Sequence, residues 1–160
     1  MDKIDNLDRQ ILNIIIRNAR IPSKDVALEC GVSRAAVHQR IQRLIDMGVI
    51  TGSGYTVNAK SPGYRTCTYI GVNLLRGAMY RDVVPELMKI PEVIECHYTT
   101  GPYTFLLKLV ARDNEHLMDI LHDKIQMING VTTTETLISL DNSIQRQIPV
   151  QLNDTKDDEN

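Results

Sequence analysis

The chain has no tryptophan, one phenylalanine (Phe105) and six tyrosines, so any core it builds is aliphatic. Its three cysteines, Cys30, Cys67 and Cys96, are odd in number and far apart, with no C-x-x-C pair. That pattern argues against a disulfide framework or a zinc site and leaves buried thiols as the expected state. The histidines, His38, His97, His116 and His122, contain no H-x-x-x-H pair, and the last two, six apart, do not share adjacent turns of one helix face. No metal site and no cofactor is expected. Missing too is any apolar run near the roughly 20 residues of a membrane span. The opening MDKIDNLDRQ lacks the basic start and apolar stretch of a signal peptide. No membrane partner and a cytoplasmic location are therefore expected. No Ser-His-Asp set, Cys-His pair, carboxylate pair or phosphate-binding glycine loop falls at a convincing spacing, so an enzyme is not the first expectation.

What the chain does have is concentrated between residues 22 and 48, PSKDVALECGVSRAAVHQRIQRLIDMG. Ser23 suits an N-cap, and Val26, Ala27 and Cys30 form the inner stripe of a short helix. Gly31 can take positive φ and turn the chain, and Ser33 caps a second helix with Val37, Ile41, Leu44 and Ile45 inward. Small Ala27 permits a close crossing, and Ala, Gly and Val fall at +4, +8 and +14 from Ser23. This is the pattern of a helix-turn-helix, a more demanding one than a generic αα-hairpin. Arg34, Ala35, His38, Gln39 and Gln42 remain on the outer face, on the helix that would enter a major groove of double-stranded DNA.

The net charge of −2 conceals an asymmetry. Residues 1–60 carry nine Lys/Arg against six Asp/Glu, whereas residues 61–160 carry nine against fourteen. A basic module joined to an acidic one is what DNA binding with a separate assembly module requires.

The first module is completed by a helix from about Asn6 to Asn18, with Leu7, Ile11, Ile14 and Ile15 inward and Asp5 or Asn6 as cap. After Gly48, Val49-Ile50 and Tyr55 with Val57 flank Thr51-Gly52-Ser53-Gly54, the pattern of a small hairpin or wing. The expected domains are a winged helix-turn-helix over 1–58, a linker over 59–64 around Pro62-Gly63, and a second domain over 65–150. The tail 151–160 is polar enough to be expected disordered.

The second domain reads βαββαβ. Strands are expected at Thr66–Leu75, Val93–Thr100, Phe105–Ala111 and Val131–Leu140, with helices at Met79–Lys89, interrupted by Pro85, and at Asn114–Met127 with Asn114 as cap. Ile90-Pro91-Glu92-Val93 and Ile128-Asn129-Gly130-Val131 mark a weak internal repeat. Two such halves make an α+β, ferredoxin-like sandwich with both helices on one sheet face. The other face, with Tyr69 or Ile70, Ile138 and Leu140, is expected to be apolar and to seek a second copy of the chain.

Together these features resemble the Lrp/AsnC family, the leucine-responsive or feast/famine transcriptional regulators, over about Leu7 to Pro149. The resemblance rests on Leu7-Asp8-Arg9-Gln10-Ile11-Leu12, Gly31-Val32-Ser33, Arg40-Ile41-Gln42-Arg43-Leu44 and Gly48-Val49-Ile50 in the first domain. In the second it rests on Glu95-Cys96-His97, Gly101-Pro102-Tyr103-Thr104 with Leu106-Leu107-Lys108, and Gly130-Val131. It implies a homodimer, further even-numbered assembly such as an octamer, and a free amino acid bound near the interfaces between dimers. The implied effector residues are Thr100, Gly101, Pro102, Tyr103 and Thr104, with Thr134 and Thr136 nearby. One departure stands out: where the family commonly has Gly-Asp-Tyr-Asp, this chain has Gly101-Pro102-Tyr103-Thr104, without either carboxylate.

For DNA, the expected contacts are Arg40 and Arg43 to phosphate or groove, Arg34 to guanine, Gln39 to adenine, and His38 to a base or phosphate. Ser23, Lys24 and Ser33 lie at helix starts suited to phosphate. Two alternatives share the architecture. One is a sirohaem decarboxylase-like enzyme, for which His97, His116 and His122 would be the relevant side chains. The other is a nucleoid-organising protein of low sequence specificity.

Overall fold

A computed structural model describes residues 4–152; the tail segment 153–160, expected from its composition to be disordered, lies outside them. The chain forms two compact units, one of residues up to Thr56 together with those from Ile144, the other Val57–Ser143. The expected second domain, 65–150, differs at its end: the segment after Ile144 belongs with the first unit. There Asn13 Nδ2 donates to the Val150 carbonyl at 2.9 Å and Arg9 Nη1 to that of Gln151 at 3.0 Å.

The first unit is three helices, α1 (Asn6–Arg17), α2 (Ser23–Cys30) and α3 (Arg34–Asp46). Asp5 begins α1 with a reciprocal capping box: its carboxylate accepts the Asp8 N–H at 2.8 Å, and the Asp8 carboxylate accepts the Asp5 N–H at 3.0 Å. Pro22, not Ser23, occupies the cap of α2, and no side chain caps that helix. The fixed φ of Pro22, at −59°, supplies the entry instead, and its carbonyl accepts from Asp25 and Val26 N–H. Gly31 turns the chain at φ 67°, with the Val32 N–H returning to the Ala27 carbonyl at 3.0 Å. Ser33 caps α3 by accepting the Ala36 N–H. Ile11, Ile14, Val26, Ala27 and Val37 form the core of this module. Ile45, expected inward, is half exposed. Beyond Gly48 the wing has no strand pairing; residues 51–58 are irregular and exposed. Three of those eight are Gly or Ser, which pack little and leave no apolar stripe to bury.

The second unit has β1 (Thr66–Leu74), α4 (Tyr80–Leu87), β2 (Val93–Tyr98), β3 (Phe105–Ala111), α5 (Asn114–Asp119) and β4 (Val131–Ser139). A short 3₁₀ turn, Gly77–Met79, leads into α4, and a π turn, Ile120–Ile125, prolongs α5. Pro85 stands inside α4, removing the N–H that would reach the Arg81 carbonyl. Asp113, not Asn114, caps α5 by accepting the His116 N–H. The sheet is antiparallel in the order β2-β3-β1-β4, the ferredoxin-like arrangement. Ile70 and Val72 of β1, and Phe105, Leu107, Leu109 and Ala111 of β3, are buried against Val83, Leu87, Leu117, Ile120 and Ile125.

Register decides which residues occupy the other face. Tyr69 pairs with Lys108 and Leu137, and Gly71 with Leu106 and Glu135. Of the alternatives Tyr69 or Ile70, Tyr69 takes the open face and Ile70 lies in the core. Ile138, expected on the open face, is corrected: it pairs with buried Thr68 on the helix side. Leu140 lies past the end of β4 and is fully exposed. The open face instead presents Tyr69, Leu106, Val110 and Leu137 around the Lys108–Glu95 ion pair.

Candidate nucleic-acid interface and effector loop

On α3, one stripe of side chains is buried and the opposite stripe is not. Val37 and Leu44 are fully buried, whereas Arg34, His38, Gln39 and Gln42 are exposed, and Gln42 Nε2 donates to Asp46 at 2.8 Å. Ser33 and Lys24 are exposed and Ser23 is half-buried, at the starts of α3 and α2. Donors of these kinds suit base edges and phosphates. Behind the wing, the Arg20 guanidinium stacks on the exposed Tyr55 ring, 4.0 Å from its centroid.

Arg40 and Arg43, the expected contacts to phosphate or groove, each reach a carboxylate at the start of α1. The Asp8 carboxylate, fully buried, accepts from Arg40 Nη1 at 3.1 Å and from Arg43 Nη1 at 2.9 Å, and Asp5 also accepts from Arg40. A buried carboxylate requires compensating donors, and these two guanidinium groups are the cations that reach it. Burial pushes the Asp5 carboxyl upward, but the Arg40 hydrogen bond and the backbone N–H groups of Asp8 and Leu7 outweigh it and hold it below its usual value. The Asp5 and Asp8 hydrogen bonds raise Arg40 in turn. Asp8 carried no functional assignment in the sequence. Its signal was an acid in the first turn of a helix otherwise lined by Leu7 and Ile11.

The effector loop joins β2 to β3. Thr99 Oγ1 donates to the Tyr103 carbonyl at 2.8 Å, the Thr99 N–H to that of Thr104 at 3.1 Å, and Gly101 turns at φ 126°. Thr100, Gly101 and Pro102 are exposed or nearly so. Thr104 is pinned to β1: its N–H donates to the Val72 carbonyl at 3.0 Å and to Asn73 Oδ1 at 3.2 Å. The Tyr103 ring lies over Gly71 and its hydroxyl donates to Glu135 at 2.5 Å. That hydrogen bond raises the Tyr103 pKa above the ordinary phenol value.

Thr134 and Thr136 are not part of this cluster. They pair with Val72 and Ile70 and point to the helix side, where Thr134 Oγ1 accepts from Gln126. The loop's neighbours across the sheet are Gly71, Asn73 and Glu135. A glycine in the middle of an otherwise β-rich strand was the available signal, because it marks a close approach.

The histidines stay apart. His97 lies 3.4 Å from Glu95 on the open face, His116 contacts Glu92 at 3.3 Å, and His122 contacts Gln126 at 3.0 Å. Among the described residues no group of three or more His, Cys, Asp or Glu side chains could hold a metal ion. No helix there is long and apolar enough to cross a membrane.

Comparison with known proteins agrees with this architecture in both halves. Residues 4–51 match the winged helix-turn-helix DNA-binding family, and residues 67–149 match the Lrp/AsnC ligand binding domain. The regulatory protein AsnC of Haemophilus influenzae is 36% identical over 148 residues, spanning 92% of this chain and 99% of that protein. The solved structure of AsnC from Escherichia coli superimposes with a TM-score of 0.87 at 38% identity, covering 92% of this chain and 99% of that one. A transcriptional regulator from Neisseria meningitidis in complex with L-methionine shares the fold, with a TM-score of 0.86 at 20% identity over 92% of this chain and 97% of that one. With the recognition helix, the four-stranded sheet and full-length relatives in agreement, the chain belongs to the Lrp/AsnC family of DNA-binding transcriptional regulators.

Proposed function

We propose that this regulator works as a homodimer, or a larger even-numbered assembly, that reads a pseudo-palindromic duplex in the cytoplasm and responds to a free amino acid. The observation that carries the reading is the divided α3, with Val37 and Leu44 buried and Arg34, His38 and Gln39 exposed on the opposite stripe. Arg34 reads guanine, Gln39 adenine, and His38 a base acceptor or phosphate, while Ser23, Lys24 and Ser33 set the register on phosphate. A second copy covers the open sheet face, whose Tyr69, Leu106, Val110 and Leu137 are the apolar residues the helices leave uncovered.

The effector binds at the loop Thr100–Thr104. The loop lacks carboxylates, but Glu135 stands beside it on β4 and suits an ammonium group, while the exposed glycine backbone suits a carboxylate. The methionine-bound neisserial relative supports a ligand of this class. Thr134 and Thr136, on the other face, take no part. No catalytic role is assigned: the family consists of regulators, and His97, His116 and His122 have separate partners, which does not favour a tetrapyrrole-processing site.

The test is selection of bound sequences from random duplex DNA at low and moderate salt, with and without pooled amino acids. A palindrome that survives moderate salt, and that shifts with one amino acid, supports the reading. Enrichment only of bent, A·T-rich DNA would replace it with the nucleoid-organising alternative.

A further inference from the structure

We propose that Asp8 sets the sequence-independent, salt-dependent share of this regulator's affinity for DNA, by withholding the guanidinium groups of Arg40 and Arg43 from phosphate. Both arginines stand on the recognition helix with side chains 30% and 37% exposed, where cations ordinarily add to non-specific affinity. Each instead donates to one fully buried carboxylate, at 3.1 and 2.9 Å, and Arg40 also reaches Asp5. Two carboxylates thus face two guanidinium groups, and the network is neutral. Asp8 is itself held by the Asp5 N–H at 3.0 Å, in the capping box that starts α1, so the clamp is built into the helix start.

The consequence follows from the origin of the two kinds of affinity. Non-specific binding comes from counterions released by cations on phosphate, whereas specificity comes from base edges. Arg34, His38 and Gln39 stay exposed to read bases. Neutralising Arg40 and Arg43 therefore lowers the sequence-independent affinity for all DNA alike and flattens its salt dependence, leaving discrimination to the exposed base readers. Asp8 is a positioning residue, acting through the two arginines and not by contact with DNA.

This inference rests on the DNA-binding reading, and its test uses the full chain, a duplex recovered by selection and a random-sequence duplex, over a range of salt concentrations. With Asp8→Asn, affinity for the random and for the target duplex rises several-fold at low salt, and the ratio between them changes little. The plot of log affinity against log salt steepens by up to about two per protomer, at roughly 0.9 for each phosphate newly neutralised. A folded variant with an unchanged or flatter slope would overturn the inference. Should Asp8→Asn fail to fold, Arg43→Gln decides: the clamp requires an unchanged slope, and a loss of about one would show that Arg43 already sits on phosphate. If the unaltered chain binds neither duplex, the DNA-binding reading itself fails, a result distinct from binding with the wrong slope.

Discussion

The ring of Tyr103 occupies the space that Gly71 leaves by having no side chain: a Cβ on Gly71 would stand 2.5 Å from the ring. An approach this close ties the β2–β3 loop to the centre of β1, two residues from Asn73, which holds Thr104. The loop expected to meet an effector is therefore mounted on the sheet, not suspended from its ends.

Gly71→Ala should displace the Tyr103 ring and break its bond to Glu135. The clash involves the ring atoms nearest the backbone, so the side chain cannot simply swing its tip away. An overpacking cost of about 1–3 kcal/mol is expected. Thermal unfolding measures it, and Tyr103→Ala in the same chain should recover most of the loss; an additive double variant would contradict the contact.

Tyr103 should ionise later than an ordinary tyrosine. The folded protein holds its phenolic proton through Glu135, so the contribution to stability is complete below about pH 10 and is lost as pH rises through the elevated folded value. Absorbance titration of the six tyrosines should show one late component, which disappears in Tyr103→Phe and shifts back toward normal in Glu135→Gln. A late component absent from the unaltered chain, or one that Glu135→Gln leaves in place, would refute the bond.

Asp5 behaves with the opposite sign. Its folded pKa is depressed, so its contribution is present above the usual carboxylate range near pH 4 and is lost as pH falls through the lower folded value. Asp5→Ala should cost about 1 kcal/mol at neutral pH, the usual worth of an N-cap. Urea unfolding of both proteins across pH should give a constant gap near neutrality that closes in acid. A gap that stays independent of pH down to about pH 2, below the usual carboxylate range, would mean that charge plays no part.

Two substitutions on the recognition surface should separate reading from anchoring. Arg34→Ala is expected to cost about 1–3 kcal/mol on the preferred duplex and to relax selection at one base pair. Lys24→Ala should weaken all sequences alike and reduce the salt slope by about one. Binding isotherms on selected and random duplexes decide between them, and equal losses of both kinds in both variants would contradict these roles.

Local patterning was enough to read the elements. The aliphatic stripes of α1 and α3, Gly31 at the turn and Ser33 at its cap are set by interactions within a few residues, and all but Ile45 stand where the spacing put them. The alternation of Phe105 to Ala111 likewise marks β3 without reference to anything distant. The exposed donors on α3 were legible for the same reason, because a helix with one buried stripe leaves the opposite one facing out. Ser23 misled because Pro22 sets the entry geometry before a hydroxyl is needed.

Partnership across the chain was another matter. Arg40 and Arg43 look like any exposed cations until the fold brings Asp8, more than thirty residues earlier, beneath them. Thr134 and Thr136 alternate with Glu135, and only the register of β4 on β1 shows that Glu135 alone shares a face with Tyr103. A one-residue shift in that register would reverse the assignment. The chain's own periodicity thus determined its helices, its strands and their order. Tertiary packing decided which charges are neutralised, which sheet face stays open and which carboxylate meets the loop, because those depend on distances between residues the sequence keeps far apart.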